Sequence, residues 1–239
     1  VTTNIFALRG DSMVLVNKYG QRTVNEKLPY HELGRSMLRW DAMEAEHPDL
    51  RMYMIFDKSA RVHFSDGTSG NPIKPPNEHD PNLVEGETLD ELASAIRRRI
   101  EDLGPVAMAS LELSSDFEIG LKETIEEFNK HAATGTDPNF HRGESAIELF
   151  RNGPARPGND KNPALFPFDE TGPYYALILA PGTLDTKGGP AIDSEARVLR
   201  AVDGKPIPGL FAAGNCAGFP SGQAYWAGGA TIGLAVTFG

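Results

Sequence analysis

Cysteine is almost missing from this chain, which has one, Cys216. A single thiol cannot form an intramolecular disulfide or supply a multi-cysteine zinc or iron–sulfur centre, and it fits a reducing, cytoplasmic setting. Long apolar runs are also missing. The longest in mid-chain, residues 174–180, falls far short of the roughly 20 residues that a bilayer-spanning helix requires, so no transmembrane segment is expected. Positive charge is scarce as well: 23 Lys and Arg against 33 Asp and Glu leave a formal net charge of −10. That is the wrong sign for nucleic-acid binding driven by counterion release, and no nucleic-acid partner is expected. The six histidines, at 31, 47, 63, 79, 131 and 141, have no metal-ligand spacing, and no metal is assigned. There is no G-x-G-x-x-G after a strand, no P-loop, no H-E-x-x-H and no G-x-S-x-G. No leader-like stretch opens the chain, yet Val1 is not an initiator methionine, so a processed or artificial start is expected.

What the chain has in excess is turn formers, 25 glycines and 18 prolines in 239 residues, beside an ordinary 40% of hydrophobic residues. These numbers predict a globular protein of one large or two modest domains with long irregular connections. Val14-Leu15-Val16 and Arg22-Thr23-Val24-Asn25 flank the turn-forming Asn17-Lys18-Tyr19-Gly20, which predicts a β-hairpin. Residues 31–42, with Leu33, Met37 and Leu38, predict a short amphipathic helix, and residues 52–56 an apolar strand. Residues 65–87, rich in Pro, Gly, Asn and Asp, read as a long surface excursion. Thr88 and Glu91 form a capping-box pattern for a helix to about residue 100. Ser115 or Asp116 is expected to cap a helix over 117–132, with Phe117, Leu121, Ile125 and Phe128 on one face and Gly135 as its stop. After another Gly/Pro/Asn-rich loop at 152–162, residues 174–180 read as a buried strand.

Residues 206–239 contain no Asp, Glu, Lys, Arg or His in a chain that is 23% charged. An apolar enclosure is expected around them. Gly209-Leu210-Phe211-Ala212-Ala213-Gly214-Asn215 reads as a buried strand ending in a tight turn, and Gly228-Gly229-Ala230-Thr231-Ile232-Gly233 as a glycine-rich helix start. That helix has run about three turns, at about 3.6 residues each, when the sequence stops at Gly239, which suggests a fragment. Cys216 reads as a small buried apolar residue without a chemical role. Any one of these glycines is explained by a turn or by packing. Together they expose backbone N–H groups and the positive end of a helix dipole, which suits an electron-rich planar group that must gain charge, as a flavin does.

These two segments resemble the C-terminal flavin-binding signature of the fumarate reductase and 3-ketosteroid dehydrogenase flavoprotein superfamily. Three further segments are similar to the same superfamily: Pro181-Gly182-Thr183-Leu184-Asp185-Thr186-Lys187-Gly188-Gly189, which resembles the segment beside the flavin ring; the N-x-x-G-x-R-x-x-N-E stretch from Asn17 to Glu26, with Thr23 where the family has an aromatic; and Phe128-Asn129 with Asp137-Pro138-Asn139-Phe140-His141-Arg142-Gly143, which resembles the cap of the ketosteroid branch.

Fumarate reductases of this kind carry cationic residues where this chain has Leu184, Asp185 and Trp226, so the departures favour an apolar substrate over a dicarboxylate. Tyr225-Trp226-Ala227-Gly228-Gly229 is similar to the Tyr-Pro-Gly-x-Gly of 3-ketosteroid Δ1-dehydrogenases, with Trp226 and Ala227 replacing the proline and first glycine. The resemblance implies that the Tyr225 hydroxyl and Gly229 N–H hold the substrate ketone, and that a second tyrosine, for which Tyr30 is the candidate with Tyr53, Tyr174 and Tyr175 as rivals, removes the α-proton. It implies FAD as cofactor, bound by Thr186, Lys187, Gly188 and Gly189, by Gly214 and Asn215, and by Gly228, Ala230, Thr231 and Ile232. The implied fold is α/β (α+β), a partial FAD-binding domain lacking its N-terminal Rossmann unit, with an inserted α+β substrate cap. In this reading residues 1–28 and 173–239 belong to the flavin domain and 29–172 form the cap. The implied partners are a small apolar, steroid-like substrate and the missing N-terminal FAD-binding segment. A reductase of another unsaturated acid, and a fragment silent without its N-terminal half, are the alternatives.

Overall fold

The computed structural model describes residues 7–68, 70–104, 112–183, 188–222, 224 and 228–239. It is a mixed α/β structure that divides into two compact units, Val1–Pro181 and Gly182–Gly239.

The first unit is built on an antiparallel sheet of β1 (Met13–Val16), β2 (Met52–Asp57), β4 (Tyr174–Leu179) and β3 (Val84–Gly86), in that spatial order. Val14 lies opposite Ile55, Ile55 opposite Ala176, and Ala176 opposite Val84. Successive strand side chains point to opposite faces. Val14, Val16, Tyr53, Ile55, Tyr174 and Ala176 therefore enter one core cluster, and Met13, Leu15, Met52, Met54, Phe56, Tyr175 and Leu177 another. Both faces are covered, which is why the strands read as unbroken apolar runs.

Helices α3 (Leu89–Asp102) and α4 (Phe117–Thr134) cover the first face with Leu92, Ile96 and Ile100 and with Phe117, Leu121, Ile125 and Phe128. Each such side chain stabilises the fold by about 1.5–3 kcal/mol when fully buried. The capping pattern of α3 is present: Thr88 Oγ1 accepts the Glu91 N–H at 3.1 Å, and the Glu91 carboxylate accepts the Glu87 N–H at 2.9 Å. Gly135, at φ +79°, ends α4. At the start of α4, Asp116 occupies the cap position without a side-chain bond, and the Phe117 N–H reaches the Ser114 carbonyl at 3.2 Å instead. The other face is covered from α1 (Tyr30–Ser36) and α2 (Lys58–His63) by Leu33, Met37 and Ala60. A short helix α5 (Ala146–Asn152) follows α4, capped by the Ser145 hydroxyl.

The predicted hairpin is half right. The turn at Asn17 exists, with the Gly20 N–H on the Asn17 carbonyl at 3.0 Å. Residues 22–25, however, form no strand, and β1 pairs with β2. The Asn17 side-chain oxygen accepts the N–H groups of Tyr19 and Gln21 at 2.9 and 3.2 Å, while Arg22 and Glu26 turn inward to buried ion pairs. The turn seats on α4 instead: Thr124 Oγ1 donates to the Gly20 carbonyl at 2.8 Å. A side chain on Gly20 or Gly120 would collide with the facing backbone, and Gly20 also has φ +74°. The first helix is shorter than expected. It stops at Ser36, whose hydroxyl bonds back to the Leu33 carbonyl at 2.7 Å, and Leu38 and Trp40 are exposed.

In the second unit β5 (Arg197–Leu199) pairs with β6 (Pro206–Phe211), a 3-10 turn spans Gly214–Cys216, and α6 spans Ala230–Phe238. The buried strand expected at 209–215 begins earlier, ends at Phe211, and is exposed at Leu210 and Phe211. The expected enclosure of 206–239 is likewise not found among the described residues: α6 buries none of its side chains. A two-stranded ribbon and one short helix are too little material to cover both faces of either. Cys216, expected to be buried, is exposed at the end of the 3-10 turn. No helix of the described residues is long and apolar enough to cross a membrane.

Candidate functional site

In the second unit, close backbone contacts gather several of the sequence-predicted cofactor residues. The Gly218 N–H donates to the Pro190 carbonyl at 2.8 Å, and a Cβ on Gly189 would lie 2.7 Å from the Ala217 carbonyl carbon. Residues 188–190 thus run against 216–218. Gly214, at φ +57°, packs so near α6 that a Cβ would lie 3.1 Å from that of Ala235. Gly188, Gly189, Gly214 and Asn215 therefore share one small unit with the helix that carries Ala230, Thr231 and Ile232. Thr186, Lys187 and Tyr225 lie outside the described residues.

The first helical bond of α6 runs from the Gly233 N–H to the Gly229 carbonyl at 2.8 Å. The N–H groups of Ala230, Thr231 and Ile232 precede it and have no partner within the helix, at the positive end of its dipole. Gly229 caps the helix in the left-handed region at φ +88°, and among the described residues nothing beyond the local chain lies within 4 Å of a Cβ position at Gly228, Gly229 or Gly233. Asn215 Oδ1 is buried without a hydrogen-bond partner among the described residues. Open backbone donors, an unsatisfied acceptor and the lack of any charged side chain over 206–239 fit an electron-rich flavin nucleotide with its own N–H and hydroxyl donors.

The four tyrosines weighed as proton acceptor lie in the first unit in different settings. Tyr53 is fully buried, in edge contact with Phe117 at 5.5 Å, and burial pushes its hydroxyl well above the ordinary phenol value. The Tyr174 hydroxyl donates to the Asp169 carbonyl at 2.8 Å, and burial raises it too. Tyr175 is buried and stacked on Phe56 at 5.5 Å. Tyr30 is half-buried as the first residue of α1, with the Arg151 guanidinium 5.6 Å from its ring centre.

The segment leading to Tyr30 is anchored by buried charge. Arg22 grips Glu26 at 2.7 and 2.9 Å and Asp137 at 2.8 Å, and Arg142 meets Glu26 at 3.0 Å. Burial pushes the Glu26 carboxyl up, but Arg22 and Arg142 beside it prevail and hold it at about 2. The Asn25 amide donates to the Phe140 carbonyl at 3.1 Å. Lys27, buried and strongly depressed by that burial, donates to the Leu8 carbonyl at 2.8 Å. The two stretches of the resemblance at 17–26 and 137–143 thus meet in one ion network, of which Glu26 immediately precedes the 27–29 loop into Tyr30. A second network joins Asp11, Arg156, Ser12 and Asp57. There burial pushes Asp57 up to about 6 despite bonds from Ser12, Ala60 and Asp169.

Residues 3–232 match the FAD binding domain family. The chain belongs to that family. It is 35% identical over 236 residues to the 4-oxocyclohexanecarboxylate 2-dehydrogenase of Sinomonas cyclohexanicum, a match covering 98% of this chain and 36% of that protein. It is 34% identical over 232 residues to the 3-oxosteroid 1-dehydrogenase of Mycobacterium tuberculosis, covering 95% of this chain and 37% of the relative. The crystal structure of the 3-ketosteroid Δ1-dehydrogenase from Sterolibacterium denitrificans in complex with 1,4-androstadiene-3,17-dione aligns with a TM-score of 0.76 at 29% identity, covering 98% of this chain and 38% of that one. The chain spans a little over a third of the length of these relatives. FAD is the cofactor that this family binds.

One neighbour of Tyr30 was missed from sequence. Arg151 bears on Tyr30 from α5, and its only signal in the sequence is one arginine beside Phe150, one helical turn after Ile147.

Proposed function

We propose that the protein containing this chain is an FAD-dependent dehydrogenase that desaturates a carbon–carbon bond next to a ketone in an apolar, steroid-like ring substrate. FAD supplies the hydride acceptor. Tyr30 takes the proton from the carbon beside the ketone, and the Tyr225 hydroxyl and Gly229 N–H hold the ketone oxygen as it becomes an enolate. The observation that carries this reading is the donor-rich start of α6, behind Gly228 and Gly229 in a charge-free stretch. It supplies polarised N–H groups where negative charge develops. The setting of Tyr30 supports its part, since Tyr53, Tyr174 and Tyr175 are all packed into the sheet core.

In this reading 1–28 and 173–239 belong to the flavin domain, 29–172 form the substrate cap, and a preceding segment with the glycine fingerprint completes the FAD site. A cytoplasmic setting accords with the single cysteine. The test is Tyr225→Phe in the intact FAD-loaded protein. Removal of one of two donors from a developing oxyanion slows turnover about 10²–10³-fold. Undiminished turnover would remove Tyr225 from the mechanism.

A further inference from the structure

Tyr30 opens α1, a helix of seven residues without a side-chain cap. The cap position is Pro29, whose ring fixes φ at −51° and which has no side-chain oxygen to offer the helix. A helix this short is marginal by itself. The direction of its first residue is therefore inherited from the chain that enters it.

That chain turns at Asn25, which makes three hydrogen bonds. Its side-chain oxygen accepts the Lys27 N–H at 2.9 Å, its backbone carbonyl accepts the Leu28 N–H at 3.2 Å, and its amide donates to the Phe140 carbonyl at 3.1 Å. The first two close a turn over 25–28, of the kind that asparagine favours because its short side chain bonds the backbone two residues on. The third fastens this turn to a segment 115 residues away. Phe140 is itself held: its N–H reaches Asp137 Oδ1 at 3.3 Å, and the Arg22 guanidinium lies 4.5 Å from its ring centre. Asn25 is only 7% exposed, so water is a poor substitute for these partners. Beyond the turn, Lys27 donates to the Leu8 and Gly10 carbonyls at 2.8 and 2.5 Å, and Leu28 and Pro29 alone separate it from Tyr30.

We infer that Asn25 is the positioning residue for Tyr30, acting through the 25–28 turn, whose direction its side chain sets against the Phe140 carbonyl. The inference rests on the reading of Tyr30 as the base. Glu26 and Lys27 hold the same stretch, but both are buried ionisable groups, and truncating either acts first on stability. Asn25 is neutral, and its loss leaves no buried charge behind. Misplacing a reacting group by about 1 Å can cost about 10²-fold in rate.

The test is a double-mutant cycle on the intact FAD-loaded protein, read as the rate of flavin bleaching on anaerobic mixing with 4-androstene-3,17-dione. Asn25→Ala alone should slow bleaching about 10- to 100-fold, with FAD content and the ketone concentration for half-maximal rate within about twofold of wild type. In the Tyr30→Phe background the same substitution should slow bleaching less than about twofold, because a misplaced base has nothing left to lose once the base is gone. Asn25→Ser, whose hydroxyl can accept the Lys27 N–H, should fall between wild type and Asn25→Ala, and it serves in the same cycle if the alanine variant does not fold. Equal slowing in both backgrounds would make Asn25 a structural residue only, and undiminished bleaching in Asn25→Ala would deny it any part. Bleaching at the wild-type rate in Tyr30→Phe, or none in the wild type, would remove the base itself and the positioning role with it.

Discussion

Glu26 and Arg142, both fully buried and 116 residues apart in sequence, meet at 3.0 Å between Oε2 and Nη1. Arg142 also donates to the Gly10 carbonyl at 2.8 Å, so one guanidinium ties the β1 approach, the loop before Tyr30 and the segment before α5 into one body. Tyr30 and Arg151, on two different helices, meet with the guanidinium 5.6 Å from the ring centre.

Breaking the junction leaves an uncompensated buried charge. Arg142→Ala should destabilise the fold by about 3–5 kcal/mol. A urea denaturation midpoint compared with wild type measures it, and a change within about 0.5 kcal/mol, the usual range for surface substitutions, would deny the pair its structural role.

Two buried carboxylates give opposite pH dependences. Glu26 is held at about 2, below its ordinary 4.5, so its contribution is present above pH 4.5 and is lost as pH falls toward 2. Asp57 is raised from 3.8 to about 6, so its contribution is present below pH 3.8 and is lost as pH rises through 6. Unfolding free energy measured across pH should lose its acid limb in Glu26→Gln, and its decline between pH 4 and 6 in Asp57→Asn.

Glycine substitutions should separate close approach from open space. Gly120→Ala sets a methyl against the Tyr19 carbonyl and should destabilise the fold by more than about 2 kcal/mol. Gly34, inside α1, has nothing within 4 Å of a Cβ position, and Gly34→Ala should stabilise by about 0.5–1 kcal/mol. Thermal melting of the two variants reads both signs.

The start of α6 should be sensitive to negative charge. Thr231→Glu sets a carboxylate at the open N–H groups proposed to face the flavin, and should weaken FAD retention about 2- to 30-fold. The flavin-to-protein absorbance ratio after dialysis measures it, and full retention would move the flavin away from this helix end.

Sequence periodicity revealed the elements that carry their own signals. Helices α3 and α4 repeat apolar residues every three or four positions, Thr88 and Gly135 mark two of their ends, and β2 and β4 are unbroken apolar runs because both sheet faces are buried. It misjudged the stretch after Asn17, where one side-chain amide takes the N–H groups that a strand would use, and where Arg22 and Glu26 are inward charges that pair with each other and with Asp137 and Arg142, more than a hundred residues away. The tight glycines Gly189 and Gly214 were legible because backbone approach constrains residue type. The contact of Arg151 with Tyr30 was not, because the two lie on separate helices far apart in sequence.

The most direct test of the account is the rate of flavin reduction in the intact FAD-loaded protein, mixed rapidly and anaerobically with a ring ketone, for wild type against Tyr30→Phe. The account predicts normal flavin content in the variant and bleaching of the visible flavin band slowed about 10²–10⁴-fold, the range for loss of a positioned base. Bleaching at the wild-type rate would contradict it.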